Sequence, residues 1–201
     1  MARIPVKHPR HRQIQLTRGF SLVEVLVSIV VLSFGVLGMV GMQAAAMQAN
    51  RDSRLQSSGV RLAREAEELI SGNLAIAKLK TASTNPYLVT YTAPTAIAAA
   101  SENCLTSKCT TNTTLAEYGI KEWANRVYTE LPGARIAICF DSAPYDSTGT
   151  PRWACNSTGD VMVVKLGWTR AGTDRTQVGA AALDAATRPS IVMPVSTGGG
   201  A

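Results

Sequence analysis

An α+β fold, with one long N-terminal helix packed on a small, mostly antiparallel sheet, is what this sequence predicts. Three features carry the prediction. Phe20–Met42 is an apolar run long enough for a membrane-spanning helix, a helix-period pattern continues it, and two later segments alternate with β-branched residues. Over 201 residues, hydrophobic types make up 46% and charged types 17%, so a packed core is expected and wholesale disorder is not.

The first element follows a basic leader. Arg3, Lys7, Arg10, Arg12 and Arg18 lie within residues 1–19, with no acid among them. Removing these five cations from a net charge of +6 leaves the rest of the chain at +1. A nucleic-acid-binding body needs a clustered basic face, so this near-neutral body argues against one. Both histidines, His8 and His11, are also in the leader. Without the leader the chain has no histidine, which excludes Ser-His-Asp and Cys-His catalysis and any His-ligated metal. No P-loop, nucleophile elbow, H-E-x-x-H or dinucleotide fingerprint is found, and no cofactor is expected.

Phe20–Met42 reads FSLVEVLVSIVVLSFGVLGMVGM. At 1.5 Å per residue it reaches about 35 Å, against about 30 Å of hydrocarbon. Ser21, Ser28 and Ser33 are cheap in such a helix, because their hydroxyls can return to backbone carbonyls. Glu24 is the one charge and the expensive residue, and acids at such depth usually mark a function. The leader's bases put residues 1–19 in the cytoplasm and the bulk of the chain on the other side. A secretory signal peptide with a cut near Ala44-Ala45-Ala46 is the rival reading. It fits poorly, since the apolar run is too long for an h-region and holds an acid. Gly35, Gly38 and Gly41 suit either close helix packing or a segment that loosens on leaving lipid.

Leu55, Leu62, Ala66, Leu69 and Ile70 recur at helical spacings, with Gly72-Asn73 as a stop and Leu74–Lys80 able to resume. Residues 81–114 read as a connection with one short strand at Tyr87–Tyr91. Leu115–Leu131 reads as a helix with Leu115, Tyr118, Trp123 and Val127 as apolar contacts, ended by Pro132-Gly133. Arg135–Phe140 and Val161–Trp168 read as strands, and Ile191–Val195 as a third, held to an edge by Pro194. The stretch 141–160 reads as a long loop and Gly198–Ala201 as a frayed tail. The expected organisation is a leader at 1–19, a spanning helix at 20–42, its amphipathic continuation at 43–80 and an α+β head at 81–201.

Four cysteines allow three pairings. Outside the cytoplasm disulfides are the default, and chain order favours Cys104 with Cys109 and Cys139 with Cys155. Zinc is the rival, but C-x4-C with C-x15-C matches no common finger spacing. Asp141, Asp146 and Asp160, in or beside one loop, read as turn chemistry. The two N-glycosylation patterns, at Asn112 and Asn156, read as chance.

Arg18-Gly19-Phe20-Ser21-Leu22-Val23-Glu24-Val25-Leu26 resembles the class III signal of type IV prepilins and pseudopilins. The resemblance implies a type IV pilin-like fold. It also implies that a membrane-embedded aspartyl peptidase cuts between Gly19 and Phe20 and methylates the new amino terminus of Phe20. Glu24 takes the place of the family's acid five residues into the mature chain. Inside a bundle of apolar helices the new α-amino cation needs an anion, and Glu24 is the one available, so a role in axial register is expected. VLSFGVLGMVGMQ, with Trp123, Leu131-Pro132-Gly133 and Cys139 downstream, resembles PilV-type minor pilins. That subtype implies an assembly subunit rather than an enzyme. It would prime fibre assembly with other minor pilins and the major pilin and sit near the tip, in some cases with a large adhesin, supporting twitching motility and adhesion. The implied location is the inner membrane, single-pass with the head in the periplasm, and then the fibre. A minor pseudopilin of type II secretion and a pilus-borne DNA- or surface-binding module are the alternatives.

Overall fold

The computed structural model describes residues 19–171 and 183–197. The leader up to residue 18 and the tail from Gly198 lie outside the described residues. The chain divides into two compact units, Met1–Gln48 and Ala49–Ala201.

Helix α1, Leu22–Ser71, carries the predicted apolar run in its first half and the amphipathic pattern in its second. In the first unit all described residues are solvent-exposed, as an apolar helix without its surroundings must be. In the second unit Gly59, Leu62, Ala63, Ala66 and Ile70 form a buried stripe at helical spacing, and Arg54, Arg61 and Arg64 stay outside it. The helix stops at Gly72, and Leu74–Ala77 makes one further turn, α2.

Strand β1, Thr90–Thr92, lies slightly later than the predicted Tyr87–Tyr91. Tyr87 instead fills the core, 1% exposed, with its hydroxyl donating to the Leu69 carbonyl at 3.2 Å. Helix α3, Asn112–Glu130, opens on a capping box in which Thr111 and Thr114 each satisfy the other's amide. Trp123 and Val127 are fully buried as expected, whereas Leu115, expected to make an apolar contact, is 51% exposed. The box at Thr111 starts the helix early and turns Leu115, in its first turn, outward. After Leu131 and Pro132 the chain reverses at Gly133, whose φ is +58° and where a Cβ would collide with Thr169 Oγ1.

The sheet runs β1, β2 (Arg135–Phe140), β3 (Met162–Gly167) and β6 (Ile191–Val195), antiparallel throughout. β6 is an edge strand and holds Pro194, as the sequence predicts. A second, two-stranded sheet, β4 (Thr169–Ala171) with β5 (Leu183–Ala185), has no counterpart among the strands the sequence predicts. The register sets Ile136, Ile138 and Phe140 opposite Leu166, Val164 and Met162 on one face. Those residues join Leu62, Ile70, Ile120 and Trp123 in one hydrophobic core, with the Trp123 indole donating to the Leu62 carbonyl at 2.9 Å. The fold is thus the expected long helix on a small antiparallel sheet.

Ala137, Val163 and Lys165 alternate onto the other face, yet they are buried as well. The loop 141–160 lies over this face at Lys165, whose ammonium meets the Ala154 carbonyl, and at Gly167, which Trp153 approaches. It is irregular apart from an isolated bridge between Tyr145 and Pro151.

Candidate functional site

The residues singled out at the leader junction lie where the described chain begins. Gly19 and Phe20 precede the helix, and Phe20 is 80% exposed. Nothing among the described residues lies within 4 Å of a Cβ built on Gly19. Two residues later α1 begins, and Glu24 sits in its first turn. There the unpaired backbone N–H groups and the helix dipole favour an anion. The Ser28 hydroxyl donates to the Glu24 carbonyl at 2.7 Å and Ser33 to Ile29 at 2.7 Å, so both serines satisfy themselves locally. The apolar window of this helix has a mean hydropathy of 2.5 and none of it is buried, which suits a membrane span by length and composition. The side chains facing outward on every side, Leu22, Leu26, Ile29, Phe34 and Leu37 among them, leave Glu24 as the single charge between Phe20 and Met42.

The cysteines stand elsewhere, in the second unit. Cys104 joins Cys109, and Cys139 joins Cys155, with Cα separations of 5.1 and 6.4 Å. The short loop between the first pair is held by Asn103, whose side chain accepts from the Leu105 and Thr106 amides. The second pair ties β2 to the covering loop. Both sulfurs and an Asp141 carboxylate oxygen lie within 4.8 Å of one another, but the sulfurs are spent on their own bond.

One charged pair leaves no local mark in the sequence. Lys165 and Asp141 both have side chains at 0% exposure, with Nζ donating to Asp141 Oδ2 at 2.6 Å and to the Ala154 carbonyl at 3.0 Å. Asp141 is therefore half of a buried ion pair as well as a turn residue, since its Oδ1 also accepts from the Ala143 amide at 3.0 Å. Burial pushes its carboxyl up, but the Lys165 and Ala143 hydrogen bonds outweigh burial and hold it below the usual aspartate range. Asp146 behaves as predicted for a turn, accepting from Thr148 and Thr150 amides at 2.9 Å. Asp160 makes a surface pair with Lys80 at 2.5 Å.

A family model for the prokaryotic N-terminal methylation motif matches residues 15–40, the stretch that holds the junction, Glu24 and most of the apolar run. With the long apolar helix and the antiparallel head behind it, the match supports a type IV prepilin-like protein. Such a motif implies processing by a prepilin peptidase and assembly with other pilins, and it suggests membrane anchoring before the fibre. No curated protein and no solved structure matches the chain.

Proposed function

We propose that this chain is a minor type IV pilin of the PilV type, an assembly subunit without enzymatic chemistry. In this reading residues 1–19 are a cytoplasmic leader, cut after Gly19, and Phe20 is the methylated first residue of the mature protein. Residues 20–42 cross the inner membrane once and later join a fibre core, 43–80 continue it as helix to Ser71 and one further turn at Leu74–Ala77, and 81–201 are a periplasmic head. With other minor pilins it primes assembly and stays near the tip, supporting twitching motility and adhesion, and a large tip adhesin is a candidate partner. The observation that carries the proposal is the methylation motif over residues 15–40, set on a junction where a basic leader meets a full-length apolar helix with Glu24 in its first turn. A minor pseudopilin of type II secretion shares that motif. The two part on whether deletion of the gene abolishes surface fibres or the export of folded enzymes.

Processing is the direct test. N-terminal mass spectrometry of membrane-extracted protein should find methylated Phe20, and Gly19→Leu should leave uncut precursor. A mature start after Ala46 would mean a conventional secreted protein and would end the pilin reading.

A further inference from the structure

Among the described residues, residues 141–160 lie over the outer face of the main sheet around Lys165, with Ala186 and Arg188 beside Trp153 at Gly167. Beneath this segment lies the Lys165–Asp141 pair, with both side chains at 0% exposure. Most of the segment's polar bonds stay within it. Asp146 holds Thr148 and Thr150, and Arg152 Nε donates to the Ala143 carbonyl at 2.8 Å. These bonds would move with the segment if it lifted. Its far end is held by the Lys80–Asp160 pair and by the Thr197 hydroxyl on the Asp160 carbonyl, and among the described residues a short set of contacts fastens the rest. The Trp153 indole donates to the Ala186 carbonyl at 2.9 Å and its ring lies 4.5 Å from the Arg135 guanidinium. Lys165 holds the Ala154 carbonyl, and the Cys139–Cys155 bond is the single covalent tether. The helix-facing core includes no residue between Phe140 and Met162. The segment therefore closes over a charged pair without being part of the main core.

We propose that Cys139–Cys155 is a redox latch: when it is reduced, residues 142–158 lift from the sheet and let water reach Lys165 and Asp141, while the rest of the head stays folded. A dithiol reductant supplies two electrons and two protons, the S–S bond becomes two thiols, and the reductant leaves as its own disulfide. The drive to open is the hydration of the ion pair, because two charges held dry cost more in lost solvation than their mutual attraction commonly returns. The tether opposes that drive by keeping the segment's ends together. An oxidised subunit thus shows a sealed outer face, and a reduced one shows an open charged face on the same intact sheet. The proposal concerns the head alone and stands or falls independently of whether the chain enters a fibre.

The test uses the full chain in detergent with Cys104→Ser and Cys109→Ser, so that a single bond responds to dithiothreitol. Hydrogen exchange should rise across 142–158 after reduction, with 135–140, 162–167 and 112–130 still protected. Acylation of Lys165 by an N-hydroxysuccinimide ester should accelerate by at least about tenfold, the mark of local opening, whereas exposed Lys78 labels equally in both states. In Asp141→Asn with Lys165→Met, reduction should leave 142–158 protected, because no buried charge remains to hydrate. Unchanged exchange and labelling on reduction would overturn the latch. So would loss of protection throughout the head, which would make the bond a general staple. Equal opening in the double variant would overturn the ion pair as its cause.

Discussion

Glu24 and Lys165 are both charges in apolar settings, and they differ in how visible they are in the sequence. Glu24 is the one charge in a long apolar run, so it stands out by composition alone. Lys165 is hidden by the period of its strand, VMVVKLGW, which places it on the face opposite the core, where lysine is ordinarily solvated. The irregular loop that precedes its strand buries it, with Asp141 and the Ala154 carbonyl on its ammonium, and no periodic pattern announces such a cover. Glu24→Ala is expected to insert in the membrane and be cleaved normally, since the Gly19–Phe20 bond remains. It should nevertheless be missing from sheared fibres, the amino terminus of Phe20 having lost a counter-charge whose removal costs about 3–5 kcal/mol. Wild-type levels in fibres would make Glu24 a tolerated acid. Lys165→Met makes a prediction about pH. In the wild type the Asp141 carboxyl is held below its ordinary value of 3.8, so its stabilisation is complete above that pH and is lost as pH falls below it. With the lysine gone, burial is opposed only by amide hydrogen bonds such as that of Ala143, and the carboxyl moves up. The variant should be destabilised by about 3–5 kcal/mol near neutrality and recover stability on acidification, as denaturant titrations at several pH values would show. A variant with the wild-type slope would mean that Asp141 is hydrated in solution.

At the level of elements, legibility followed length. The helices and the strands β2, β3 and β6 repeat their period often enough to be counted, and they lie close to where the sequence places them. β4 and β5 have three residues each, too few for alternation to show, and they exist because they pair with each other. Close approach was the other hidden quantity. Gly59 reads as an indifferent residue in a polar stretch of α1, yet a Cβ there would meet the Trp168 ring at 2.7 Å and Ile191 Cδ1 at 2.8 Å. Gly59→Val should therefore destabilise the head by about 1–3 kcal/mol through overpacking, read as a lower thermal midpoint. A variant as stable as the wild type would show that Trp168 and Ile191 can move aside.

For the whole molecule, the division at Gln48 and Ala49 falls within a continuous helix, where no turn or linker residue signals it. It is legible as the place where apolar residues stop covering every side of α1 and begin to form a stripe. All residues of the hydrophobic core lie at Leu62 or beyond, so a chain beginning at Ala49 should melt in a single cooperative transition. A broad, gradual melt would mean that the head depends on the first unit.

The two cystine bridges join neighbours in chain order, separated by 5 and 16 residues, and no cysteine is left over. A polypeptide emerges from its ribosome, and threads through any translocation channel that follows, with earlier residues first. Cys104 therefore meets Cys109 before Cys139 appears, and Cys139 waits only for Cys155. Of the three ways to match four thiols, this is the one that an indiscriminate oxidant reaches by taking each partner as it arrives. Maturation of this head should need an oxidant but no proofreading of crossed bonds.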